Sequence, residues 1–301
     1  MFEGVYTAIV TPFNDDGTVD YDALVKHVEF QIQGGVDGIV PVGTTGESPT
    51  VDFEEHLRII DVTVQTANGR VKVIAGTGAN ATAEALMLTA KAKELGCNGT
   101  LQVTPYYNKP NDRGLRRHFE LIADVGLPVM LYNVPGRSSL ALSIELIQKL
   151  SEHENIVSVK EAAGSVDRVS QILNACEPGS ISVVSGDDSL ALPMIAVGAD
   201  GVVSVASNII PETVCELVHS ALRGDYEHAR KVHLEYHGLF TGLFMDTNPI
   251  PVKTALKMMG KMGGTFRLPL TAMDDEGDED YNETTSKTRK LEELLSQYKV
   301  I

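Results

Sequence analysis

Three side chains in this sequence have the types and spacing for covalent chemistry at a carbonyl group. Lys160 closes the apolar run Ile156-Val157-Ser158-Val159 and is followed at once by Glu161-Ala162-Ala163-Gly164. An amine held at the end of a buried strand has its charged form disfavoured, which makes it a nucleophile near neutral pH and suits Schiff-base formation. Tyr132 closes the preceding apolar run, Val129 to Tyr132. Neighbouring strands lie about 4.8 Å apart, so a phenol and an amine at matching strand ends can exchange protons with a carbinolamine or an enamine. Arg137 follows Tyr132 by five residues, in Tyr132-Asn133-Val134-Pro135-Gly136-Arg137, on a loop where its fork of donors can clamp a carboxylate. The loop Gly43-Thr44-Thr45-Gly46 offers backbone N–H groups and two hydroxyls to another.

The elements needed to gather these groups are legible as a repeat. Eight short apolar runs occur: Val5 to Val10, Gly38 to Val42, Val71 to Ala75, Gly99 to Val103, Val129 to Tyr132, Ile156 to Lys160, Ile181 to Ser185 and Gly201 to Val205. Between them lie segments such as Tyr21 to Gln33, Phe53 to Ala67 and Thr82 to Leu95, whose apolar residues recur every three or four positions. Alternating strands and helices predict a parallel sheet, and eight repeats predict an α/β fold closed into a (β/α)8 barrel. The active face of such a barrel is the carboxyl end of its strands. Asp20 and Thr82 are read as helix starts, and Gly34-Gly35 and Gly96 as stops.

The barrel is expected over residues 1–208 and a carboxy-terminal helical segment over 209–301, with helices at Pro211 to Arg223, Asp225 to Leu243 and Pro249 to Met259. This appendix is expected on the barrel's side, ending beyond an acidic linker near 274–280 in an amphipathic stretch that carries Leu291, Leu294, Leu295 and Tyr298.

Other chemistries lack their residues. The strand ends hold hydroxyls and one lysine but no histidine or cysteine, so no metal is expected there. His233 and His237 read as ordinary helix histidines without a third ligand. Gly76-Thr77-Gly78 imitates a dinucleotide fingerprint, but the next strand ends in Val103-Thr104-Pro105 and not in an acidic residue, so the glycines are expected to shape a turn. Cys97, Cys176 and Cys215 are expected to be reduced and packed. Acidic residues outnumber basic ones 41 to 25, which disfavours nucleic acid and anionic membranes as partners. The amino terminus has no basic region ahead of an apolar block, so a cytoplasmic location is expected.

Five motifs in order, GTTGE at Gly43 to Glu47, TPYYN at Thr104 to Asn108, YNVPGR at Tyr132 to Arg137, VKEAAG at Val159 to Gly164 and SGDD at Ser185 to Asp188, carry a resemblance across almost the whole chain. The chain resembles the dihydrodipicolinate synthase family, now called 4-hydroxy-tetrahydrodipicolinate synthases, of the pyruvate-dependent aldolase and lyase superfamily. The resemblance implies a lyase that condenses pyruvate with L-aspartate 4-semialdehyde in lysine and diaminopimelate biosynthesis. It implies Lys160 as the Schiff-base residue, with no added cofactor, Tyr132 as general acid and base, and Thr44 as a relay toward Tyr107. It implies that Tyr107 acts in a neighbouring subunit of a homotetramer built as a dimer of dimers. Thr45, Gly186 and the backbone of Val203 are then expected to hold pyruvate, and Arg137 the semialdehyde carboxylate. Ser48, His56, Asn80, Glu84 and Tyr106 match an allosteric lysine site, with Pro49 and Phe53 departing from the common pattern.

Sialic acid lyases and keto-deoxy sugar acid aldolases share the lysine and tyrosine. Arg137 argues against them, because a desolvated arginine facing a sugar chain is left unpaired. A non-catalytic sensing barrel predicts loss of Lys160, Tyr132 or the Gly43 to Thr45 loop, and all are present.

Overall fold

The computed structural model describes residues 1–273 and 286–301. The acidic run at 274–280 lies outside the described residues. Eight strands, β1 (Gly4–Ala8), β2 (Gly38–Val40), β3 (Lys72–Gly76), β4 (Gly99–Val103), β5 (Val129–Asn133), β6 (Ile156–Glu161), β7 (Ser182–Ser185) and β8 (Gly201–Ser204), pair in parallel in sequence order, and β8 closes on β1. The expected (β/α)8 barrel is present.

The helices up to β8 are α1 (Tyr21–Gln33), α2 (Phe53–Ala67), α3 (Thr82–Glu94), α4 (Asp112–Ala123), α5 (Pro135–Ser138), α6 (Ile144–Leu150), α7 (Val166–Ala175) and α8 (Ala191–Ala196). Beyond β8 follow α9 (Pro211–Leu222), α10 (Tyr226–Gly242), α11 (Ile250–Met258) and α12 (Lys287–Gln297). Asp20 caps α1 by accepting from the Ala23 N–H, as its position predicts. Thr82 does not cap α3: Ala81 takes that place, and the Thr82 hydroxyl pairs with His118 Nδ1 on α4 at 2.9 Å. A hydroxyl that ties two helices together leaves α3 without a side-chain cap at its first turn.

Two apolar layers hold the barrel. Between strands and helices runs the larger core, with Ile39, Ile59, Leu115, Phe119, Ile147 and Val159 fully buried. Inside, Phe2, Tyr6, Ile74, Met130, Val184 and Val203 fill the lumen. The Tyr6 ring crosses the lumen at Gly38, where a Cβ would lie 2.4 Å from two of its ring carbons. Aromatic and branched side chains fill the lower barrel, and a cavity lies at the carboxyl ends of the strands.

Three strands, β1, β2 and β8, end earlier than their apolar runs. β2 stops at Val40 because Pro41 has no N–H for the ladder, and Val42 turns to φ 52°. That left-handed turn swings the Gly43 to Glu47 loop over the barrel mouth, where Thr11 Oγ1 donates to Gly46 O at 2.7 Å.

Candidate active site

Lys160 and Tyr132 are register partners across β5 and β6. Both are 6% exposed. The lysine Nζ stands 4.3 Å from the centroid of the tyrosine ring. Neither the amine nor the phenol hydrogen-bonds to any described residue, and both side chains line the cavity at the barrel mouth. A strand end delivers the amine to this depth because the turn behind it is built for close approach. At Gly186 a Cβ would fall 3.0 Å from Lys160 Cε and 2.6 Å from Ala162 Cβ, so no larger residue leaves the lysine stem in place.

Three acidic residues of the motifs, Glu161, Asp188 and Glu47, are buried supports. Glu161 is fully buried, accepts from Asn133 Nδ2 at 3.0 and 2.9 Å and from the Ala163 N–H at 2.7 Å, and meets Arg168 Nε at 3.2 Å. It fixes the turn that follows Lys160. Asp188 accepts from Ser204 Oγ and from the Val205 and Ala206 N–H groups, which ties the β7 loop to the β8 loop. Burial pushes its carboxyl pKa up, against the pull of those donors. Glu47 pairs with Lys253 Nζ at 2.5 Å, with both side chains fully buried. Burial pushes the Lys253 pKa down, although Glu47 holds it up.

Hydroxyls at the strand ends divide in the same way. Thr11 and Thr104 bond to backbone carbonyls, of Gly46 and Tyr132 respectively. Thr77 lies outside the lumen in a cluster with Thr89, Thr100 and Gln102. Thr44 and Thr45 are the ones that line the cavity.

Arg137 also lines the cavity and donates through Nη2 to Asn248 O at 3.0 Å. Asn248 is 6% exposed, and its Nδ2 donates to Thr45 Oγ1 at 3.0 Å. One residue thereby braces both the arginine and the threonine loop. Asn248, Phe244 and Asp187 complete the lining without having been singled out from sequence. Asp187 stood in the SGDD motif; Asn248 was hidden because it belongs to the segment expected on the barrel's side. Helix α9 does pack against β1 and β8, while the stretch between α10 and α11 reaches the mouth.

Gly186 lines the cavity. Val203 is fully buried in the lumen, and Val205, two residues on, does the lining. Tyr107 is 92% exposed at φ 72° and lies outside the cavity of its own chain. Of the residues matched to a lysine site, Ser48 and Tyr106 line a second groove, which shares Thr44 and Arg137 with the first. Asn80 Nδ2 donates to Tyr106 O at 3.3 Å, and Glu84 adds to burial in raising the Tyr106 hydroxyl pKa. His56 is committed elsewhere through Nε2, which donates to Gly76 O at 2.7 Å, and burial pushes its pKa down.

The glycines of Gly76-Thr77-Gly78 serve close packing: a Cβ would meet Val42 O at 2.3 Å from Gly76 and Val103 N at 2.4 Å from Gly78. The three cysteines are unpaired and buried. His233 and His237 stack edge to face at 5.6 Å, and no group of three or more metal-ligating side chains occurs among the described residues.

A family model described as the dihydrodipicolinate synthetase family matches residues 1–288. The chain belongs to the dihydrodipicolinate synthetase family. It is 51% identical to the 4-hydroxy-tetrahydrodipicolinate synthase of Aquifex aeolicus (strain VF5), over 99% of this chain and 98% of that protein. The crystal structure of dihydrodipicolinate synthase from Aquifex aeolicus superposes with a TM-score of 0.94 at 50% identity, covering 99% of each chain. A second solved member, the chloride-inhibited dihydrodipicolinate synthase from Acinetobacter baumannii complexed with pyruvate, superposes with a TM-score of 0.94 at 41% identity over the whole of both chains. Membership accounts for the order of the five motifs. The geometry adds that three of their carboxylates are buried braces around one free amine.

Proposed function

We propose that this chain condenses pyruvate with L-aspartate 4-semialdehyde to 4-hydroxy-tetrahydrodipicolinate, a carbon–carbon bond-forming lyase reaction of lysine and diaminopimelate biosynthesis. The observation that carries the reading is the Lys160 amine: buried, unbonded and set over Tyr132 in a cavity that also holds Arg137 and Thr45. Relatives about half identical over the full chain support the substrate pair.

Lys160 Nζ attacks C2 of pyruvate, and the ketone oxygen leaves as water to give an iminium. The pyruvate carboxylate rests on the Thr44 and Thr45 loop, with Gly186 and the Val203 backbone bounding the site. Loss of a C3 proton gives an enamine, whose C3 bonds to the aldehyde carbon of the semialdehyde while the aldehyde oxygen gains a proton. The semialdehyde amine then attacks C2, closes the ring and releases the Lys160 amine. Tyr132 carries the protons, and Thr44 relays them. No separate cofactor has a part in this sequence of steps.

Arg137 holds the semialdehyde carboxylate, braced by Asn248. The exposed, left-handed Tyr107 supports a role in a neighbouring subunit of a tetramer, at the groove lined by Thr44 and Arg137. The grouping of Ser48, Asn80, Glu84 and Tyr106 near that groove supports lysine as an inhibitor there, with His56 behind it. No helix among the described residues is long and apolar enough to cross a membrane, and we place the reaction in the cytoplasm.

A rate assay with pyruvate plus aspartate semialdehyde, set against pyruvate plus N-acetylmannosamine, tests the substrate. Turnover of the first pair alone is expected. Turnover of the sugar alone overturns the assignment.

A further inference from the structure

The second substrate of the proposed reaction carries an ammonium on the same carbon as its carboxylate. Arg137 answers the carboxylate; the cavity also contains a group that answers the ammonium. Asp187 is the one carboxylate among the described residues that line it. It follows β7, as Arg137 follows β5, so the two stand on either side of β6 and Lys160.

The Asp187 side chain is oriented and half free. Its Oδ1 accepts from the Ser189 N–H and the Ser189 hydroxyl, both at 2.9 Å. Its backbone is locked by Ser185 Oγ, which donates to Asp187 O at 2.7 Å and accepts from the Asp187 N–H at 3.2 Å. Oδ2 takes no hydrogen bond from any described residue. A second acceptor lies in the same lining: Asn248, 94% buried by its 6% exposure, has an Oδ1 without a donor among the described residues. An acceptor left bare in a cavity costs stability unless a donor arrives with the ligand.

We propose that Asp187 is a specificity-determining residue, its free carboxylate oxygen receiving the α-ammonium of the aldehyde substrate while Arg137 receives the carboxylate. The inference rests on the functional reading above and deepens it. A cation clamp and an anion clamp converging on one carbon select an α-amino acid aldehyde over an aldehyde acid of the same length without the amino group. Two charges of opposite sign also orient the aldehyde carbon toward the enamine on Lys160.

The test compares aspartate semialdehyde with succinate semialdehyde, which has the same carboxylate and aldehyde but no ammonium. In D187N the amide oxygen still caps the Ser189 turn, so the loop is kept while the charge is lost. KM for aspartate semialdehyde should rise about tenfold or more, as expected for a lost charged hydrogen bond. The inhibition constant of succinate semialdehyde should stay within about twofold, and the adduct trapped from pyruvate and borohydride should form at wild-type yield. An unchanged KM, or equal weakening of both aldehydes with the adduct intact, overturns the role of Asp187. D187A, which also loses the cap, should show the same selectivity change; if only D187A shows it, the residue acts through its turn and the proposal fails. Failure of the wild type to form any adduct removes the functional reading and this inference together.

Discussion

The Lys160 amine faces the ring of Tyr132 at 4.3 Å, across two residues that are direct register partners on β5 and β6. Neighbouring strands thus bring an amine and a phenol to one depth in the barrel, and neither hydrogen-bonds to any described residue. Around them the carboxylates of Glu47, Glu161 and Asp188 are all engaged, so the free groups at the mouth stand out against a satisfied background.

Replacing Tyr132 by Phe keeps the ring that backs the amine and removes the proposed proton carrier. The expected result is a kcat lower by about a hundredfold or more, with the KM for pyruvate nearly unchanged. Steady-state kinetics check this, and a kcat within about twofold of wild type contradicts it.

The buried pair of Glu47 and Lys253 fastens the threonine loop to α11, with Phe13 and Phe266 covering the ammonium at 4.4 and 4.7 Å. Removing one partner strands the other charge, so Lys253→Met should cost about 3–5 kcal/mol. The double variant Glu47→Gln with Lys253→Met should recover part of that loss. Denaturant unfolding of the three proteins decides it; equal loss in single and double variants counts against the pair.

His27 is fully buried, its Nε2 donating to Asn208 Oδ1 at 3.0 Å, and burial pushes its pKa from 6.5 down to about 4. Between those values the unfolded chain takes up a proton that the folded chain does not, so stability is full above pH 6.5 and is lost as pH falls toward 4. From pH 7.5 to 5 this residue should remove about 2 kcal/mol. His118, also pushed down to about 4 by burial, acts in the same direction. The fall should be smaller in His27→Gln, and parallel pH profiles of unfolding for the two proteins would refute the cause.

Strand ends were readable because a lumen and a helix layer both demand apolar residues, so each run stops where the barrel meets water. Lys160, Tyr132, Thr44, Thr45 and Arg137 all follow from that rule and all line one cavity. The mouth beyond the strands was less legible. Asn248 and Phe244 enter through the loop between α10 and α11, whose helical pattern says which face packs and not how far its end reaches. Glu47, Glu161 and Asp188 were visible as motif letters, but whether a carboxylate is a brace or a reagent depends on donors far along the chain, such as Lys253 for Glu47 and Ser204 for Asp188. Pro41 and Val42, which end β2 early, show the same limit: an apolar pair reads as strand until its backbone angles are known.

The proposed reaction depends first on a covalent bond between the Lys160 amine and a keto acid. Incubation of the wild-type chain with pyruvate and borohydride, followed by peptide mass spectrometry, should find one reduced pyruvoyl adduct per chain, on the peptide that contains Lys160, and none in Lys160→Ala. An adduct on any other lysine, or no adduct at saturating pyruvate, would contradict the account.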